Sequence, residues 1–228
     1  MDRFTRNILI PDVGKQGQEK LKKAKVLVVG AGGLGSPVLY YLAAAGVGTI
    51  GIIDNDMVDI TNLQRQIIHH TGDIGKYKVL SASEKLKKLY PDIEINTYAF
   101  KFTKDNATDL VANYDFIIDC CDNYKTKFLI NDICVQCSKP YSHGAVSELR
   151  GEVMTFIPNN ANYRNVHENI PCENKTTQGI MGSVAGVIGC LQATEAIKYI
   201  TGVGELIVNR ILIFDAVLMN FYSLKINF

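Results

Sequence analysis

A chain of 228 residues that is 47% hydrophobic can bury a sizeable core, as one large α/β domain or two small ones. Its formal net charge of +1 argues against a nucleic-acid-binding domain, which usually carries a basic excess. The least polar stretch, Gly179 to Leu191, is glycine-rich and too short to span a bilayer, and the first residues form no signal-type segment, so the expected location is cytoplasmic, off the membrane.

In chain order, Gly14 to Ala24 reads as an amphipathic, lysine-rich helix, Lys25 to Val29 as a buried strand and Leu34 to Ala45 as an apolar helix. Thr49 to Ile53 is a second strand, ending at Asp54. Lys76 to Tyr90 is helical, with Val79, Leu80, Leu86 and Leu89 on an apolar stripe and Lys85, Lys87 and Lys88 on the solvated face. Ile93 to Ala99 alternates as a strand, Thr103 to Asn113 is a helix, Tyr114 to Asp119 a short buried strand and Tyr124 to Cys137 a helix.

The pattern then changes. Pro140 to Val146 and Glu152 to Ile157 read as strands joined by a hairpin turn, Ser147 to Gly151. Pro158 to Gln178 is a long, polar, irregular loop. Val184 to Tyr199 is a helix, and Ile207 to Phe214 and Val217 to Ile226 are closing antiparallel strands. The expected fold is α/β: one Rossmann-like, doubly wound sheet, parallel in its N-terminal half and mixed through antiparallel C-terminal strands.

Six cysteines are scattered. Cys134 and Cys137 form a C-x-x-C, but inside a predicted helix and with no second pair, so small buried hydrophobes in a reducing compartment are the expectation.

Gly30-Ala31-Gly32-Gly33-Leu34-Gly35 follows the first strand and opens a helix. Gly30, Gly32, Gly33 and Gly35 let backbone approach a phosphate at a helix N-terminus, and Asp54 is placed to hold ribose hydroxyls. Asp56 adds a carboxylate that either helps place a metal or caps the next segment. The turn alone does not separate NAD from ATP.

A polar cluster, Asn62-Leu63-Gln64-Arg65-Gln66, puts a permanent cation and amides beside that turn, with Asn62 and Gln66 as further nucleotide contacts. Lys78 opens the next predicted helix, and Asp122-Asn123 follow the strand that ends at Asp119. The carboxyl ends of parallel strands converge on one crevice, so Asp54, Arg65, Lys78 and Asp122 can meet around one triphosphate.

These motifs, with Arg3-Phe4-x-Arg6-Asn7, Gly186-Val187-Ile188-Gly189 and Gln192-Ala193-x-Glu195-Ala196, resemble the ThiF/MoeB family of adenylyltransferases, which activate ubiquitin-like sulfur-carrier proteins in thiamine and molybdopterin synthesis. The resemblance implies ATP and Mg²⁺ as cofactors and a carrier with a C-terminal Gly-Gly as partner. It implies phosphate-binding roles for Arg65 and Lys78, ribose binding for Asp54, Mg²⁺ on Asp122 and nucleotide contact from Asn123. Arg6 would reach across a homodimer interface. The implied layout is one adenylation domain over 1–228, with an N-terminal helix (1–24), a nucleotide-binding half (25–138) and a carrier-binding half with a mobile loop (139–228).

The chain departs from the family at three places. Asn162 and Asn165 stand where many members carry the first zinc-binding cysteine pair, and the second pair would fall beyond Phe221, so no structural zinc is expected. Lys175 aligns with a sulfur-accepting cysteine, with Cys172 three residues upstream as a possible substitute. Lys127 replaces a frequent arginine. Three other readings stay open: a tRNA threonylcarbamoyladenosine dehydratase-like enzyme, an NAD(P)-linked oxidoreductase and a non-catalytic adaptor.

Overall fold

The computed structural model describes residues 3–167 and 179–227. Its frame is an eight-stranded sheet of order β3-β2-β1-β4-β5-β6-β7-β8. The strands are β1 (Lys25–Val29), β2 (Thr49–Ile53), β3 (Glu94–Tyr98), β4 (Phe116–Asp119), β5 (Tyr141–Ser147), β6 (Arg150–Phe156), β7 (Arg210–Asp215) and β8 (Asn220–Lys225). β1 to β5 are parallel; β6, β7 and β8 add antiparallel partners. The helices are α1 (Thr5–Ile8), α2 (Gly14–Lys23), α3 (Gly35–Ala45), α4 (Lys78–Leu89), α5 (Lys104–Ala112), α6 (Tyr124–Gln136), α7 (Arg164–His167) and α8 (Gly182–Thr201).

The central strands are near-continuous apolar runs because both faces are covered. Val26 and Val28 of β1 enter a core shared with α3, α4 and α8. Leu27 and Val29 enter the core on the other face, shared with α5 and α6. This is the doubly wound mixed sheet expected, and no helix of the described residues is long and apolar enough to cross a membrane.

Local expectations need correction at the antiparallel end. The β5–β6 hairpin is tighter than expected: Ser147 pairs with Arg150, leaving Glu148 and Leu149 as the turn, with Glu148 at φ +53°. The last strand starts at Asn220, not Val217. Val217 and Leu218 form a turn because the Asp215 carboxylate accepts both of their N–H groups, at 2.9 and 3.1 Å. β7 begins at Arg210 because Ile207 is held elsewhere: its N–H donates to Glu195 Oε2 and its carbonyl accepts from Thr155. On α4, Leu80 faces solvent rather than the core, and Lys85 is not a solvated lysine, since it pairs with Asp73.

Candidate active site

β1 has β2 on one side and β4 on the other, so the chain reverses its winding direction between β1 and β4. Ligands of open α/β sheets bind at the carboxyl ends of the strands flanking such a point. Three loops meet there: Gly30 to Gly35 after β1, Asp54 to Asp56 after β2, and Cys120 to Asn123 after β4.

The glycine turn is clamped from several sides. Gly30 N–H donates to Ile53 O at 2.9 Å. A Cβ at Gly30 (φ +104°) would lie 2.7 Å from Cys120 O, and one at Gly35 2.1 Å from Gly30 O. These two glycines are required by the fold. Gly32 and Gly33 are less crowded: a Cβ at Gly32 would first meet Gln66 Nε2, and one at Gly33 would meet Arg65 Cγ and Ala185 Cβ, all at 3.4 Å. No side chain caps the first turn of α3, which leaves N–H groups there for an anion.

Asp54 ties two loops together. One carboxylate oxygen accepts from Ala31 N–H at 2.8 Å and the other from Asp56 N–H at 2.9 Å. Burial pushes its carboxyl above the usual range, against the opposing pull of Lys78. Lys78 is the first residue of α4; its N–H donates to Asp56 O, and its ammonium, buried to 7% exposure, pairs with Asp56 Oδ2 at 2.9 Å. Asp56 is thus the counter-ion of Lys78.

The polar cluster divides by role. Asn62 Oδ1 accepts from Asp59 N–H at 3.1 Å and so closes a reciprocal cap on a one-turn 3-10 helix, Ile60–Asn62. Arg65 donates to Thr61 O at 3.2 Å and lies against Gly33. Gln66 is buried, and its Oε1 has no hydrogen-bond partner. A buried orphan acceptor beside an uncrowded glycine fits a ligand that brings a donor. At the start of α8 a Cβ on Gly182 would lie 2.6 Å from Gln64 O, so this helix packs directly on the cluster.

Asp122 and Asn123 are exposed on the loop after β4. Asn123 Oδ1 accepts from Thr126 N–H at 2.9 Å, the N-cap of α6. Its amide oxygen is thereby committed to the helix and its amide nitrogen reaches Asp122 Oδ1 at 3.5 Å, with the Asp122 side chain exposed on the same loop.

Arg6 is not brought to this crevice. It is exposed on α1, and its neighbour Asn7 donates to Ala45 O at the C-terminal end of α3. The glycine turn lies at the other end of that eleven-residue helix, roughly 16 Å away at 1.5 Å per residue.

Other site-supporting residues carried no motif. His69 Nε2 lies 2.9 Å from Ala31 O and its Nδ1 2.8 Å from Ser81 Oγ. Burial lowers the His69 pKa, so the ring is neutral, donates through Nε2 and accepts the Ser81 hydroxyl proton. Lys85 donates to Ser81 Oγ at 2.8 Å and to Asp73. Below the crevice, buried Asp119 accepts from Lys127 at 3.1 Å, His143 Nδ1 at 2.9 Å and Cys121 N–H at 3.0 Å. Burial works to raise the Asp119 carboxyl; Lys127 and His143 outweigh it and hold it below the usual range. Lys127 also donates to Gly144 O at 2.6 Å, so it braces the sheet beneath the crevice.

Asn162 and Asn165 cap the turn into α7: Asn165 Oδ1 accepts from Asn162 N–H at 2.8 Å, and Asn162 Oδ1 from Arg164 N–H at 3.0 Å. Cys134 is buried in α6, as a small core side chain. Cys172 and Lys175 lie outside the described residues.

The model of the ThiF family matches residues 4–228. The chain belongs to the ThiF family. A relative named probable adenylyltransferase/sulfurtransferase MoeZ, from Mycobacterium tuberculosis, is 41% identical to this ThiF-family chain, over 98% of the chain and 59% of that protein. The chain thus spans about three fifths of the length of MoeZ. The sulfur carrier protein adenylyltransferase of Thermus thermophilus is 37% identical, over 99% of the chain and 87% of that protein. Among solved structures, Escherichia coli MccB crystallised with ATP has a TM-score of 0.88 at 25% identity, covering 100% of this chain and 72% of that one.

Proposed function

We propose that this chain adenylates the C-terminal glycine of a small ubiquitin-like sulfur-carrier protein ending in Gly-Gly, of the kind that serves thiamine or molybdopterin synthesis. A carboxylate oxygen of that glycine attacks the α-phosphorus of ATP. The bond from the α-phosphorus to the bridging oxygen breaks, and pyrophosphate leaves with the electron pair. The product is an acyl-adenylate, with no proton gained or lost in the central step.

The observation that carries this reading is the gathering of Arg65, Lys78 and the uncapped N-terminus of α3 around a glycine turn. The forked guanidinium of Arg65, the ammonium of Lys78 and the free N–H groups at the start of α3 suit the oxygens of a phosphate chain. In this scheme Gly32 and Gly33 admit the phosphates and Arg65 forks onto them. Lys78 exchanges part of its contact with Asp56 for phosphate oxygens, and Asp54 accepts ribose hydroxyls. These groups position the reactants and offset the charge that develops on the phosphates.

An exposed carboxylate on the rim suits Mg²⁺, which takes few protein ligands and otherwise binds substrate phosphates, and Asp122 would hold it. The bound ion would neutralise phosphate charge as pyrophosphate departs. In the assembly we propose, a homodimer, Arg6 of one copy serves the phosphates of the other. We propose no thiolate zinc site of the family's kind, because Asn162 and Asn165 spend their acceptors on the turn into α7.

ATP–pyrophosphate exchange with Mg²⁺ and Gly-Gly carriers of both pathways tests the reading. Exchange is expected with one carrier and should vanish when its last glycine is deleted. Exchange with neither carrier, or ATP consumption that depends on tRNA instead, would overturn it.

A further inference from the structure

A cluster of metal-ligating side chains outside the nucleotide crevice is unused by this scheme. His143 on β5, Glu152 on β6 and His167 on α7 place one ligand atom each within 4.8 Å of one another. Glu152 Oε1 lies 3.3 Å from His143 Nε2 and 3.3 Å from His167 Nε2. Two donors on a tetrahedral Zn²⁺ with bonds of about 2.0–2.1 Å stand about 3.3 Å apart, so both measured edges already match.

The donor chemistry points the same way. Carboxylate oxygens only accept, so the 2.9 Å contact to Asp119 makes His143 Nδ1 the N–H nitrogen. In the neutral ring Nε2 then carries a lone pair, aimed at the carboxylate of Glu152. A carboxylate behind a ligating imidazole is the usual device for orienting a histidine toward a metal. His167 Nε2 is buried and makes no hydrogen bond, despite its nearness to Glu152. A lone pair, a carboxylate and an orphan nitrogen facing one point call for a cation between them.

The frame around the cluster is cross-linked and partly open to solvent. His143 is fully buried, while Glu152 and His167 side chains are 25% and 15% exposed, which leaves a way in from solvent. Arg164 anchors α7 to α6 through Asp132 at 2.5 and 2.7 Å. Tyr163 N–H donates to Asn131 Oδ1 at 2.9 Å, and the Tyr163 ring lies 4.4 Å from each imidazole.

We propose that His143, Glu152 and His167 bind a divalent transition-metal ion, Zn²⁺ by preference, which fastens α7 to strands β5 and β6. Two imidazoles and one carboxylate suit Zn²⁺ rather than the hard, all-oxygen chemistry of Mg²⁺ or Ca²⁺. The donors share nothing with the cysteine pairs of the family's zinc. The site rests on no assumption about adenylation.

The full chain, stripped with a chelator, loaded with excess Zn²⁺ and desalted, is expected to keep one Zn²⁺ per chain by elemental analysis. His167→Gln and Glu152→Gln should each weaken binding at least about tenfold against a chromophoric chelator. Circular dichroism matching the wild type should show that both variants fold. Co²⁺ in place of Zn²⁺ should give visible d–d bands without a near-ultraviolet thiolate charge-transfer band. The proposal is overturned if the wild type retains no ion, if His167→Gln retains it with unchanged affinity, or if the cobalt spectrum shows thiolate ligation. All of these readouts are taken without ATP or a carrier.

Discussion

His69 Nε2 and the Ala31 carbonyl oxygen stand 2.9 Å apart, and this bond joins the glycine turn to a relay that runs through Ser81 and Lys85 to Asp73. Removing the ring leaves a buried carbonyl and a buried hydroxyl short of partners. His69→Ala is therefore expected to cost about 1–3 kcal/mol in urea denaturation and to weaken ATP binding. His69→Gln, which restores a donor, should recover part of both. Equal stability of His69→Ala and wild type would remove the relay from the account.

The glycines of the turn separate by what surrounds them. Gly35→Ala drives a methyl group to 2.1 Å from Gly30 O and should destabilise the fold by about 3 kcal/mol or more. Gly32→Ala meets only the end of Gln66, at 3.4 Å, so its melting temperature should stay near wild type. Its methyl group would occupy the phosphate approach, with ATP affinity falling about tenfold or more. Calorimetry with and without ATP reads both effects.

Acid should act on Asp73. Burial works against its charge, but Lys85 and the His70 N–H hold its pKa well below the usual carboxylate range. A folded pKa depressed below the unfolded value gives stability that is present above the unfolded pKa and lost as pH falls through the folded one. Asp73→Asn should thus be less stable than wild type at neutral pH. The gap should narrow as pH drops below about 4, the ordinary value for aspartate. Denaturation at pH 7 and at about pH 3 measures the gap; one that widens in acid would reverse the assignment.

Asp122→Ala removes an exposed carboxylate and should leave the fold intact while pyrophosphate exchange falls at least about a hundredfold. Arg6→Ala, also at an exposed position, should lose activity too. Mixing the two inactive variants should restore exchange, because some mixed dimers carry one site with both groups intact. Absence of rescue would place Arg6 outside the shared site.

The inner parallel strands β1 and β2 were readable because each is a short, nearly continuous apolar run between turn signals, and their expected bounds coincide with the observed ones. The glycine turn and Asp54 were legible as candidates because they directly follow β1 and β2, and Arg65 and Lys78 because they matched motifs of a known family. His69, Lys85 and Asp73 were not, since a single histidine and a lysine on a helix carry no pattern until the chain brings them together. The pairing of Asp119 with His143 was not legible for the same reason: they are neighbours across β4 and β5, twenty-four positions apart in sequence. The apolar turn after Asp215 looked like strand because its cause is one carboxylate upstream rather than a glycine or proline.

The strand order also sets a schedule for assembly. β5 with β6 and β7 with β8 pair across short turns, whereas β1 meets β4 only when Val26 reaches Phe116. Local pairings form early and distant ones late, because loop closure costs entropy before any contact repays it. Pulse-labelled hydrogen exchange during refolding should therefore protect the β5–β6 hairpin amides before those of the β1–β4 ladder; the reverse order would reject the schedule. The walls of the crevice are those late strands, so a nucleotide that binds there would meet a finished site rather than act as the template on which it folds.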